Sequence, residues 1–143
     1  MKNIAVQFYN ETDIENELFM FAVIAARYGG KWIFCRHKER DTYEIPGGHR
    51  EAGEKISDTA KRELYEETGA LEFDISPLCP YSVTSEGDTT YGFLFLADVK
   101  KLGKLPEDME IGEIIFSDNL PQKLTYPAIQ PYLFERANEK KDA

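Results

Sequence analysis

Residues 48–70 read GHREAGEKISDTAKRELYEETGA. The spacing is G-x5-E-x7-R-E-L-x-E-E-T-G, with seven positions fixed by residue type: Gly48, Glu54, Arg62, Glu63, Glu66, Glu67 and Gly69. If each fixed type occurs at roughly 5–7%, a chance match in a chain of this length is about one in a million or rarer. The stretch also has a clear local structure. Ser57 beside Asp58 predicts a helix start, a capping hydroxyl followed by an acid near the positive end of the helix dipole. Residues 59–68 carry no glycine or proline, and Gly69 is the expected stop. On such a helix Glu63, Glu66 and Glu67 stand at i, i+3 and i+4 and share one face. Ala60 and Leu64 form a thin apolar stripe beside that face, which places Glu67 at the boundary with packed protein.

Three carboxylates so close repel one another, by about 0.2–0.5 kcal/mol for each exposed like-charge pair. Burial raises the cost and drives some of them to hold protons. A divalent cation removes the conflict by supplying the counter-charge. All-oxygen ligands suit Mg²⁺ or Mn²⁺ over zinc, and magnesium combines one or two carboxylates with substrate phosphates. The expected substrate is therefore a di- or polyphosphate. Arg62, four residues before Glu66, is the natural charge partner of the cluster. A calcium-binding structural module fits poorly, for want of any twelve-residue acidic loop of the helix-loop-helix type.

The pattern resembles the signature of the Nudix hydrolase family. The resemblance implies an α/β/α sandwich with a mixed β-sheet, the signature forming a loop-helix-loop, and hydrolysis of a nucleoside diphosphate linked to another group. It assigns Glu63, Glu66 and Glu67 to metal binding and catalysis, with the carbonyl of Gly47 as a backbone ligand. Glu54 and Arg62 are implied to hold loop and helix together. A further acid outside the signature often serves as metal ligand or general base; Glu110 is the preferred candidate here, with Glu113 and Asp108 nearby. Ala70 departs from the family pattern, which usually has a larger aliphatic residue there.

Residues 35–48 and 124–136 look most like bacterial MutT-like members of the 8-oxo-dGTP diphosphatase type. Ser85 stands where ADP-ribose hydrolases often carry a proline, and Gly87-Asp88 where diadenosine polyphosphate hydrolases often carry a tyrosine. Ile129 occupies the place of an asparagine that reads the oxidised base in some similar enzymes. The expectation is a Mg²⁺-dependent pyrophosphohydrolase releasing a nucleoside monophosphate and pyrophosphate from 8-oxo-dGTP or a related dNTP. Competing readings are another nucleotide derivative (ADP-ribose, a dinucleoside polyphosphate or an RNA 5′ end) and a non-catalytic nucleotide sensor. The sensor reading is disfavoured because every signature glutamate is retained.

The 143 residues suit one domain spanning 1–143. A hydrophobic content of 42% with 13% aromatics supports a packed core. The net charge of −9 carries no footprint for duplex nucleic acid and none for an acidic membrane surface. No signal-peptide pattern and no membrane-length apolar run is present, so the cytoplasm is the expected compartment, with a monomer or homodimer as the assembly. Cys35 and Cys79 lack metal-type spacing, and Cys35 reads as a buried core residue.

Strands are predicted at 5–9, 18–27, 31–35, 71–84, 91–99 and 111–116, with a short one entering the signature at 45–48. Gly29-Gly30 marks a hairpin, residues 86–90 a turn, and residues 131–140 a closing helix with Pro131 in its first turn. Pro77 and Pro80 are expected to break the 71–84 strand. Arg36-His37-Lys38-Glu39-Arg40 is the densest basic patch. It suggests phosphate contacts from Arg36, whose planar fork suits phosphate oxygens, and from Lys38. His37 and His49 read as loop or surface residues. Tyr81, Tyr91, Tyr126 and Phe134 are aromatic candidates for stacking on a base, with Tyr126 the least core-like.

Overall fold

Strands that are apolar at consecutive positions must be covered on both sides, and the computed structural model, which describes residues 3–142, has that arrangement. In chain order the elements are β1 (Ile4–Phe8), β2 (Phe19–Tyr28), β3 (Lys31–His37), β4 (Gly47–His49), α1 (Ile56–Thr68), β5 (Ala70–Ser85), β6 (Asp88–Leu102), β7 (Ile111–Ser117) and α2 (Gln130–Lys140). The strands form one sheet in the order β1-β5-β6-β2-β3-β7, with β4 paired to β2. β2 and β6 run parallel and the remaining pairs antiparallel, so the sheet is mixed.

Alternation along the strands divides the core. Ala22, Ile24 and Ala26 of β2, with Phe93, Phe95 and Val99 of β6, pack under Ile56, Ala60 and Leu64 of α1. Val23, Ala25, Trp32, Phe34 and Leu94 face the other way and meet Leu133 and Ala137 of α2. The result is the expected α/β/α sandwich. Leu64 and Leu133, both essentially inaccessible, each stabilise this arrangement by about 2 kcal/mol. No helix among the described residues is long and apolar enough to cross a membrane.

Three local expectations are corrected. Helix α1 starts at Ile56 with Lys55 as its cap residue, so Ser57 lies inside the first turn and caps nothing. The start is set instead by Glu54, whose carboxylate accepts the Thr59 hydroxyl at 2.6 Å and the Glu51 N–H at 3.1 Å. Strand β5 runs unbroken through both prolines, with an irregularity in register between Pro77 and Cys79. Pro77 is tolerated because β1 pairs only residues 81–85, leaving the earlier half of β5 as a sheet edge with no ladder bond to lose on that side. The turn at 86–90 narrows to Glu86 and Gly87, both at positive φ, with Ser85 already paired to Asp88.

Gly69 closes α1 as expected, at φ 78° and with its N–H donated to the Tyr65 carbonyl at 2.8 Å. A Cβ there would lie 2.8 Å from the Lys104 carbonyl oxygen. Gly69→Ala is therefore expected to lower stability by about 1–2 kcal/mol. Urea unfolding monitored by circular dichroism checks this; an unchanged midpoint would mean the cap is unimportant.

One feature of the sheet creates the site. β2 and β3 leave their hairpin turn paired only at Arg27–Trp32 and Tyr28–Lys31, then diverge. Residues 43–49 fill the gap as a wedge. Glu44 exchanges both backbone hydrogen bonds with Cys35 of β3, at 2.9 Å each, and the Ile24 N–H of β2 donates to the Pro46 carbonyl at 2.8 Å. The wedge then continues as β4 along β2, Val23 opposite Gly47 and Ala22 opposite Gly48.

Candidate functional site

The wedge carries the glycines against α1. At Gly48 a Cβ would overlap the Glu63 carboxyl group, so only glycine lets that carboxyl lie against the strand. The Gly47 N–H donates to Glu67 Oε1 at 2.8 Å. Helix α1 therefore meets the sheet through its acidic face as well as its apolar stripe.

Arg62 is the hub of the charged network. Its Nε and Nη2 grip both oxygens of Glu54, at 2.7 and 3.0 Å, and Nη2 also donates to the His49 carbonyl at 3.0 Å. Nη1 donates to Glu63 Oε1 at 2.8 Å and to Glu66 Oε2 at 3.0 Å. The forked grip on Glu54 joins the start of the loop to the middle of the helix. Hydrogen bonding from Arg62, offset in part by desolvation, holds the Glu54 carboxyl down at about 2. The expected partnership of Glu54, Arg62 and Glu66 is thus present, with Glu63 added to it.

Glu67 is different in kind. It is only 6% exposed, and burial pushes its carboxyl up to about 8 despite the Gly47 N–H, with the charges of Glu63 and Glu44 adding to the rise. Glu63 is also raised, first by desolvation and then, against the pull of Arg62, by Glu66. Glu67 thus has no arginine or lysine partner among the described residues, and Glu63 is raised although Arg62 bonds it.

The acids face a cavity of about 740 Å³. Its lining includes the acids Glu44, Glu63, Glu66 and Glu67, with the exposed Asp108 and Glu110. It also includes the apolar side chains Phe21, Val23, Ile45, Ile129 and Leu133, and Tyr81. Gly47 and Tyr126 also line the cavity. Glu110 reaches it with a side chain 81% exposed and lies 3.4 Å from His37 Nδ1.

Two expected substrate contacts are not brought together with this cavity. Arg36 is spent on Glu113 at 3.5 Å and on the carbonyls of His37 and Arg40 at 3.2 and 3.0 Å. Lys38 donates to the Glu107 carbonyl at 2.9 Å. Neither lines the cavity, and Glu113, bonded to the Tyr43 hydroxyl, does not either. The cause is the length of β3: it continues to His37, and period-two alternation then puts Arg36 on the face opposite Cys35 and His37.

That alternation also places residues that a loop reading missed. His37 Nε2 lies 3.0 Å from Glu44 Oε1 and 3.7 Å from Glu67 Oε2. The Cys35 thiol, fully buried, sits 3.7 Å from Glu67 Oε1. Extending the strand pattern two residues past Cys35 would have turned His37 inward. Nothing in the sequence marks Glu44, which arrives through the wedge.

Among the described residues no three acidic, histidine or cysteine side chains already converge as a cation cage. Arg62 and the Gly47 N–H hold the oxygens that would have to turn. The donor chemistry nevertheless fits a hard divalent cation: oxygen-only, partly desolvated, and carrying carboxyls raised for want of counter-charge.

Comparison with known proteins agrees with this frame. Residues 18–133 match the NUDIX domain, and the chain belongs to the Nudix family. Over 103 residues it is 35% identical to a Bacillus subtilis (strain 168) protein named "Putative 8-oxo-dGTP diphosphatase YtkD", covering 71% of this chain. The match spans 64% of that relative's length. The structure resembles that of the Bacillus subtilis pyrophosphohydrolase BsRppH, in a mutant form, with a TM-score of 0.77 and 25% identity over 94% of this chain and 90% of that one. It also resembles a UDP-X diphosphatase, with a TM-score of 0.68 and 22% identity over 90% and 66% of the two chains.

Proposed function

We propose that this protein is a Mg²⁺- or Mn²⁺-dependent pyrophosphohydrolase that cleaves a nucleoside triphosphate, 8-oxo-dGTP or a related dNTP, to the monophosphate and pyrophosphate. The observation that carries the reading is one cavity lined both by carboxyls whose proton affinity is raised, Glu63 and Glu67, and by apolar side chains such as Val23, Ile45 and Leu133. A phosphate chain suits the carboxyls and their cations, and a base suits the apolar residues. Similarity to the Bacillus subtilis relative supports the triphosphate assignment.

Glu63, Glu66 and Glu67, with the Gly47 carbonyl, are the groups that would hold the cations. When bound, divalent ions supply Lewis-acid polarisation of phosphoryl oxygens and lower the pKa of an attacking water. The protein's own residues do the rest. The Gly47 N–H fixes one oxygen of Glu67, and the other lies 3.7 Å from His37 Nε2. Arg62 sets the rotamers of Glu63 and Glu66 and ties them to Glu54. Glu66, Glu67 or Glu110 accepts the proton of the water that attacks a bridging phosphorus. The apolar lining, with Tyr126, orients the base. An acidic rim in a chain of charge −9 repels a duplex, and a small anionic nucleotide would need the cations as its counter-charge.

The test is a substrate panel with separate read-outs for phosphate and pyrophosphate. Triphosphates are expected to yield pyrophosphate in a reaction abolished by EDTA. AMP and ribose phosphate from ADP-ribose as the dominant reaction would replace this assignment with that of an ADP-ribose hydrolase.

A further inference from the structure

Two polar side chains also line the cavity. Gln130 opens α2 and is only 5% exposed. The Ile45 N–H lies 2.6 Å from its side-chain Oε1. A backbone N–H can only donate, so the atom facing it must be the amide oxygen, and chemistry fixes the orientation of the amide. The other half of the amide, the –NH₂, makes no hydrogen bond to the protein among the described residues. It is not among the sealed, unpartnered atoms either. Because Gln130 lines the cavity, that –NH₂ is a donor held ready for whatever enters.

The second side chain is Tyr81, 4% exposed and also lining the cavity. It is on β5, opposite Gly92 of β6, and Gly92 in turn pairs with Phe21 of β2. A Cβ on Gly92 would lie 2.5 Å from the Tyr81 hydroxyl oxygen. The missing side chain lets the ring lie over Gly92, and Phe21 and Val23 line the same cavity. The hydroxyl makes no hydrogen bond to the protein among the described residues and is not sealed off. Burial raises its pKa, so it remains a protonated hydroxyl. Buried polar groups are normally satisfied. Two that are not, both lining one cavity, mark the place of a ligand's polar groups.

We infer that Gln130 and Tyr81 are specificity-determining residues that read the base, and that they favour a base with a ring carbonyl, such as a 6-keto purine, over a 6-amino purine. Gln130 offers only a donor to the slot, so with the purine 6-position turned toward it, it pairs with a carbonyl oxygen and meets an exocyclic amino group donor to donor. The Tyr81 hydroxyl can donate or accept and adds affinity. This rests on the nucleotide reading of the cavity and deepens it.

The experiment measures binding and turnover separately. Calorimetry with GMP and AMP in Mg²⁺ is expected to show GMP bound about ten- to hundredfold more tightly, and GTP to exceed ATP in kcat/KM by a similar factor. Gln130→Glu keeps an oxygen for the Ile45 N–H but turns an acceptor toward the slot, and should erase or invert the preference. Gln130→Met removes the donor and should abolish the preference. Tyr81→Phe should weaken GMP about tenfold with an unchanged melting temperature. Unchanged GMP-to-AMP ratios in both Gln130 variants, melting at the wild-type temperature, would overturn the inference, as would equal wild-type binding of the two. A wild type that prefers GMP yet hydrolyses no triphosphate upholds the base reader and sinks the hydrolytic reading. One that hydrolyses both without discrimination does the reverse.

Discussion

Glu67→Gln is expected to lower turnover by about 10²–10⁴ while leaving the melting temperature in EDTA unchanged or raised. The two effects have one cause. Glu67 is buried among acids with only the Gly47 N–H and the Cys35 thiol as hydrogen-bond donors among the described residues, so its ionised form is penalised. Glutamine keeps an oxygen for the Gly47 N–H and never ionises, so the fold loses nothing. The chemistry loses its most buried carboxylate. The pH dependence follows from the sign of the shift. The folded carboxyl holds its proton to about 8, well above the usual carboxylate value of 4.5. The metal-free wild type therefore gives up stability as pH rises from about 4.5 through 8, because the unfolded chain releases that proton first. In the glutamine variant this part of the slope disappears. Thermal melts between pH 5 and 9 in EDTA would show it. A variant that stays active and metal-dependent, or that keeps the wild-type slope, would remove Glu67 from the role proposed for it.

Arg62→Ala is the second large effect, and here stability and activity should fall together. The guanidinium is the counter-charge of Glu54, Glu63 and Glu66 and also binds the His49 carbonyl. Its removal leaves three partly buried carboxylates facing one another. The cost is on the order of 3 kcal/mol, because breaking one side of a buried network strands the other. Arg62→Lys should recover little, since an ammonium cannot span the fork that Glu54 requires. Millimolar Mg²⁺ should raise the melting temperature of the alanine variant more than that of the wild type, by restoring positive charge among Glu63 and Glu66. Differential scanning calorimetry with and without Mg²⁺ is the measurement. A variant that melts like the wild type in EDTA would show the network to be ornamental.

The part of the site built on one helix was legible in the chain. Glu63, Glu66 and Glu67 share a face because 3.6-residue periodicity dictates it, and Gly69 ends the helix because only a left-handed residue fits there. The three layers were likewise written in runs such as 91–99, apolar on both faces. What lay beyond reading depended on where strands end. The apolar run of β3 ends at Cys35, so it does not show that the strand continues to His37, whose side chain turns to the cavity while Arg36 bonds Glu113. Glu44 and Gln130 carried no signal at all, because each reaches the cavity through a tertiary contact, with Cys35 in one case and Ile45 in the other. Ser57 failed as a cap because Glu54, clamped by Arg62, had already fixed where the helix begins.

The wedge between β2 and β3 has a dynamic consequence. Because the segment bearing Glu44 and Gly47 is laced to both strands, the carboxylate wall cannot loosen without unzipping the middle of the sheet. Amide exchange at Ile24 and Cys35 should then approach the slowest in the molecule, and breathing at the mouth should be left to the rim around Asp108 and Tyr126. Substrate admission and the positioning of the acids would run on separate clocks: a quick outer motion, and an inner frame as durable as the fold.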